Sequence, residues 1–282
     1  MNKLSIERQA QIIKVLCEGN SIRSTARITD SSINTVVKLL KQVGYACMRY
    51  QDDHLHNLNC VRIECDEIWS FCYAKEDNLP EDKKTKFGYG DVWTFVAIDA
   101  DSKLILSWLV GEREPVYAYE FAKDIKRRVK NRIQLSTDGH RMYGVAIEET
   151  FGADIDYGMI VKHYGTPYDK HSAGRYSPRR IKNVSTRRVT GNPNMAKVST
   201  SYVERQNLSM RMSMRRFTRL TNGFSKKIEN QMFATALYFM YYNYARTHRA
   251  LANPYPHTPA MVAGLTNHIW TIEEIVGLMG QQ

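Results

Sequence analysis

Cysteine is scarce in this sequence: five residues in 282, an odd number with no Cys-x-x-Cys pair. That excludes a disulfide framework and a zinc site built from residues adjacent in sequence, and predicts reduced thiols in a cytoplasmic protein. Long apolar runs are missing too. None approaches the roughly 20 residues that span a bilayer. The stretch 1–20 carries charge throughout and has no signal-peptide core, so no membrane is expected as a partner.

Acidic residues run short in one place only. Lys162–Lys227 holds sixteen Lys and Arg against two acids, a local charge of +14. Residues 1–50 carry +5, 51–161 carry −7 and 228–282 carry −1, for a total of +11. A neutral-to-acidic scaffold with two basic blocks points to nucleic acid as the partner.

The first basic block is helical in pattern. Ser5 and Ser21 can cap two short helices, one holding Ile6, Ala10, Ile13, Val15 and Leu16, the other Ile22, Ala26 and Ile28. After the turn Asp30–Ser31–Ser32, a third helix carries Ile33, Val36, Val37, Leu39 and Leu40 and is expected to end before Gly44. Three short helices with a polar turn before the last read as a helix-turn-helix, whose last helix enters the major groove by its N-terminal residues. Here those are Ser32, Asn34 and Thr35, with Lys38 further along for phosphates. The polar stretch Arg49–Leu58 reads as a linker.

Val61–Phe71 is organised differently. Val61, Ile63, Cys65, Trp69 and Phe71 alternate as in a half-buried strand, yet Asp66 and Glu67 sit side by side within it. The two-residue period points them to opposite faces. A buried carboxylate is tolerated where it meets a cation, a metal or a water-filled cleft, and the strand alone leaves both acids open for that role. Val92–Asp99 and Leu104–Val110 read as two further strands. A helix from Pro115, a short strand Ile133–Ser136, a helix Met142–Phe151 and a strand Asp156–His163 follow. This order predicts an α/β fold with a mixed, partly antiparallel five-stranded sheet and flanking helices. Asp138, followed by Gly139, then falls at the carboxyl end of a parallel strand, where functional crevices form.

Gly165–Val198 contains three prolines and reads as a basic insertion of extended arms, with Arg179, Arg180, Arg187 and Arg188 placed to follow a phosphate backbone. Ser199–Arg216 reads as a helix on which Glu204, Asn207, Leu208 and Arg211 share a face. Lys226–Arg246 reads as a long helix with an aromatic side turned to the core.

The order of an Asp on the first strand, an Asp after the fourth and a Glu on a late helix resembles the DDE transposases and integrases of the RNase H-like fold. The segments CDEIWSF (65–71), STDG (136–139) and YVERQNLSMRMSMRR (202–216) look most like the insertion sequence one family of transposases. YYNYARTHRAL (241–251) and TPAMVAGLTNHIW (258–270) are similar to that family's C-terminal segment. The resemblance runs from about Ile63 onward. It departs at the N-terminus, where many members carry a zinc finger and this chain has no such ligand set.

The resemblance implies a DNA transposase that binds the terminal inverted repeats of an insertion sequence, cleaves them and transfers a 3′-hydroxyl into target DNA. It selects Asp66 over Glu67 and assigns catalysis and metal binding to Asp66, Asp138 and Glu204, with two Mg²⁺ ions as cofactor and Mn²⁺ as the substitute. Arg205, Arg211 and Arg215 would position phosphates. The partners implied are double-stranded DNA, both element ends and target, and further copies of the chain on that DNA, in a cytoplasmic, nucleoid-associated setting. The domain layout would be a helix-turn-helix domain at 1–48, a linker at 49–58, an RNase H-like domain at 59–250 with its insertion at 165–198, and a tail at 251–282. Two other functions use the same features: a structure-specific nuclease of this fold, and a non-catalytic DNA-binding regulator derived from a transposase.

Overall fold

The computed structural model describes residues 4–165, 181–218, 221–252 and 255–280. Three helices open the chain: α1 (Ile6–Cys17), α2 (Ile22–Ile28) and α3 (Ile33–His54). Each starts at the serine that the sequence offers. Ser5, Ser21 and Ser32 accept from the backbone N–H three residues on, at 3.3, 3.0 and 3.0 Å. α3 does not stop before Gly44. A Cβ at that position would lie 2.4 Å from the Phe233 carbonyl oxygen, so the glycine permits close contact with a later helix and does not end its own. The stretch 49–58, expected as a linker, is accordingly helical as far as His54. The buried Arg128 secures that end, donating to the Gln51 and Leu55 carbonyls at 3.1 and 3.2 Å and pairing with Asp124 and Asp52.

The rest is α/β, as expected, with a mixed sheet and flanking helices. β1 (Arg62–Cys72), β2 (Gly90–Asp99) and β3 (Ile105–Gly111) form an antiparallel meander. α4 (Pro115–Arg128) leads to β4 (Gln134–Asp138), parallel to β1, and α5 (Arg141–Phe151) leads to β5 (Asp156–Tyr164), parallel to β4. A sixth strand, β6 (Ile181–Thr190), pairs antiparallel with β5, giving the order β3-β2-β1-β4-β5-β6. Five strands were expected, and β6 lies in the stretch read as extended arms. Its residues are exposed from Ile181 through Arg188, so it lacks the alternation that betrays a half-buried strand. Exposed cations on an edge strand also discourage pairing with another sheet.

α6 (Ser201–Ser213), α7 (Ile228–Met240), α8 (Pro259–Val262) and α9 (Ile272–Gly277) complete the chain. Alternation along β1 divides the helices between the two faces of the sheet. Opposite Glu67, Phe95 of β2 meets Phe121 of α4 and Tyr143 of α5, with ring centroids 5.6 and 6.4 Å apart. On the other face Glu64 and Asp66 meet α6, and Ser70 meets Gln231 of α7. The apolar core runs without a break from Ile12, Val36 and Leu39 of the first helices to Ile63, Phe95 and Phe239. Among the described residues, no helix is long and apolar enough to cross a membrane.

Candidate active site

β1 and β4 pair only from Arg62–Gln134 to Glu64–Ser136. Beyond that point β1 stays with β2, and β4 stays with β5 as far as Asp138–Ile160. The sheet therefore opens at the carboxyl ends of two adjacent parallel strands. Asp66 and Asp138 each lie two residues past the last pair, at matching positions and on the same face. One carboxylate oxygen from each of Asp66, Glu67 and Asp138 lies within 4.8 Å of the other two.

Each acid is held by a different element. Asp66 Oδ2 accepts from Asn207 Nδ2 on α6 at 2.9 Å. The helix is set in register by the buried Glu64, whose Oε2 accepts from the first-turn amides of Tyr202 and Val203 at 2.7 and 3.2 Å. A carboxylate suits that end of a helix, where free N–H groups carry partial positive charge. Two strand residues advance about 6.6 Å and four helix residues about 6 Å. With Glu64 on Val203, Asp66 thus falls opposite Asn207. Asp138 Oδ1 accepts from the His140 amide at 3.0 Å, which fixes the turn after β4.

Glu67 is 7% exposed. Its Oε2 lies 3.6 Å from Arg113 Nη2, and the buried Tyr143 hydroxyl also faces its carboxyl group. Burial, then the Asp138 charge, push Asp66 up to about 6 and Glu67 up to about 7, with Arg113 opposing the shift at Glu67. An all-oxygen donor set of three converging carboxylates fits a hard divalent cation such as Mg²⁺.

The third expected acid stands apart. Glu204 lies in the first turn of α6, and its charge adds to the upward push on Asp66. Its Oε1 accepts from Thr200 Oγ1 at 2.6 Å and forms an ion pair with Lys162 Nζ from β5. The structure thus brings Asp66 and Asp138 together, adds Glu67, and pairs Glu204 with a lysine beside them. The signal for Glu67 was present as two adjacent acids in an apolar run. The strand pattern left both acids open and the family resemblance favoured Asp66; the structure keeps Glu67 beside it, because the opposite-face rule constrains a side chain less where the adjoining ladder has ended.

No protein-family model matches this chain, and no curated protein sequence matches it. Among solved structures it is similar to the piggyBac transposase in a synaptic complex with hairpin DNA, at 11% identity and TM-score 0.46, covering 99% of this chain and 71% of that one. It is also similar to the Mos1 transposase in a paired-end complex with the left transposon end, at 12% identity and TM-score 0.22, covering 56% and 60%. A Mos1 strand transfer complex shares 11% identity at TM-score 0.25, covering 85% and 76%.

The residues expected to meet DNA are scattered. Ser32 and Thr35 are engaged with each other at the start of α3, Oγ to Oγ1 at 2.9 Å, whereas Asn34 and Lys38 are exposed. Arg187 and Arg188 are both exposed on β6 but face opposite sides of the sheet, since Arg187 pairs with Met159 and Arg188 with Gly158. Arg179 and Arg180 lie outside the described residues. Arg205 and Arg215 are exposed on and just after α6, and the Arg211 carbonyl accepts from Thr218 Oγ1 at 3.0 Å.

Proposed function

We propose that this chain is a DNA transposase of the RNase H-like, DDE kind, akin to the insertion sequence one family. On this proposal it binds the terminal repeats of a mobile element, cuts the strand at the element's end and joins the freed 3′-hydroxyl to target DNA. The observation that carries the proposal is the convergence of Asp66, Glu67 and Asp138 within 4.8 Å where two parallel strands part. The neighbouring helix α6 offers a further acid, and the surrounding stretch Lys162–Lys227 carries +14.

Asp66 and Asp138 would hold Mg²⁺, two ions in all with Mn²⁺ as the substitute, and Glu204 and Glu67 would flank them. Bound divalent ions supply stabilisation of the negative charge that builds on the phosphodiester oxygens in such a transfer. The chain's own groups orient the site. The Asn207 amide fixes the rotamer of Asp66, the His140 amide fixes Asp138, and Arg113 limits the repulsion that Glu67 adds.

Arg205, Arg211, Arg215 and the β6 arginines would meet phosphates, which position DNA without reading its sequence. Asn34 and Lys38 at the exposed start of α3 would face the element end, making 1–48 the recognition segment and 59–250 the catalytic one. Two ends must be held together for joining, so the working form would be a homo-oligomer on DNA, in the cytoplasm and at the nucleoid.

The test is incubation of the full chain with labelled duplexes taken from the DNA flanking its own gene, plus a circular target and Mg²⁺. The proposal expects cut ends and joined products with Mg²⁺ and neither with EDTA. Cutting with no joined product would favour a nuclease. No reaction with any divalent ion would refute the proposal.

A further inference from the structure

We propose that Lys162 is a phosphate-positioning residue that, in the free protein, serves as the counter-ion of Glu204 and yields it when metal and DNA enter. The inference rests on reading the acidic opening as a metal site. Three carboxylates gather there, Asp66, Glu67 and Asp138, with Glu204 beside them on α6, and two cations face this set, Arg113 at Glu67 and Lys162 at Glu204. Their placements differ. Arg113 is anchored, its guanidinium 4.5 Å from the centre of the Trp93 ring. Lys162 stands near the end of β5, and its side chain is 23% exposed.

Lys162 opposes Val184 on β6, and four pairs further along Gly158 opposes Arg188. Lys162 therefore lies on the face that carries α6, in line with the exposed guanidinium of Arg188. Its ammonium occupies the side of the opening that a divalent ion would need if Glu204 is to act with Asp66. The pair is replaceable on energetic grounds, because a partly exposed ion pair contributes little net stability. Once divalent ions neutralise the carboxylates, a lysine beside them is repelled, and a DNA phosphate becomes its better partner. Glu204 keeps the Thr200 hydroxyl on Oε1 and its backbone place in α6, so its release requires only rotation of side chains.

The experiment uses the full chain with Lys162→Met, Lys162→Arg and Asp66→Asn. Mn²⁺ affinity is measured by titration without DNA, and DNA affinity is measured against salt concentration. Lys162→Met should bind Mn²⁺ about two- to fivefold tighter than wild type, the range that loss of one partly exposed ion pair allows. Its log–log salt slope for DNA should fall by about 0.9, one phosphate contact. Lys162→Arg should stay close to wild type in both. A purely structural role would not tighten Mn²⁺ binding, so unchanged or weaker Mn²⁺ affinity in Lys162→Met overturns the inference, as does an unchanged salt slope. Asp66→Asn separates the two levels. If it binds Mn²⁺ as wild type does, the acidic opening is not the metal site and the underlying reading fails. If it loses Mn²⁺ while Lys162→Met changes nothing, only the role of Lys162 fails.

Discussion

Glu67→Gln removes one of the three carboxylates that crowd the opening while keeping the size of the side chain. In the metal-free protein burial, and then the Asp138 charge, raise Glu67 from 4.5 to about 7. The folded protein therefore holds a proton that the unfolded chain has released between about pH 4.5 and 7. Stability is lost as pH rises through that window, and the whole penalty is in force at pH 8. At about 1.36 kcal/mol for each tenfold, it is on the order of 3 kcal/mol. Glutamine escapes this penalty, which is already net of the attraction to Arg113. A net stabilisation of about 3 kcal/mol is expected at pH 8, falling below about 1 kcal/mol at pH 5, where the folded protein keeps the Glu67 proton. Urea unfolding of both proteins in EDTA at the two pH values measures the difference. Excess Mg²⁺ should narrow it at pH 8, because a cation bound to the folded state supplies the neutralisation that the substitution otherwise provides. A variant no more stable than wild type at pH 8, or equally stabilised at pH 5, would refute the reasoning.

Two further outcomes concern the frame and the sheet edge. Gly44→Ala drives a methyl group into the Phe233 backbone, 2.4 Å away at its carbonyl oxygen. It should cost at least about 1–3 kcal/mol, seen as a drop in Tm of several degrees, and an unchanged Tm would mean that α3 and α7 do not touch there. Arg188→Ala should lower the salt slope of DNA binding by about 0.9, while Arg187→Ala, on the opposite face beside Met159, should leave it unchanged. Equal effects would place DNA around the edge of β6 and not along the α6 face.

Much of this was legible in the sequence because it rests on local pattern. Alternation along 61–71, the capping serines and the turn after β4 located β1, the three N-terminal helices and Asp138. What was hidden depends on contacts from elsewhere in the chain. β6 is exposed on both faces, so its strand character comes from pairing with β5 and leaves no trace in its own hydropathy. Gly44 looks like a helix stop until Phe233, far along the chain, is seen to need the space. The strand pattern left Asp66 and Glu67 both open and the family resemblance passed over Glu67, and only the early end of the β1–β4 ladder shows that it joins Asp66 and Asp138. The lysine paired with Glu204 lies 42 residues before it, on another element, and nothing near Glu204 in sequence announces it.

The most direct measurement is joined product formed by wild type, Asp66→Asn and Asp138→Asn on the duplexes flanking the gene, with Mg²⁺ and with DNA retention measured in parallel. The account predicts joined product for wild type only, with both variants retaining DNA at wild-type affinity. Joined product at wild-type level from either variant would contradict it.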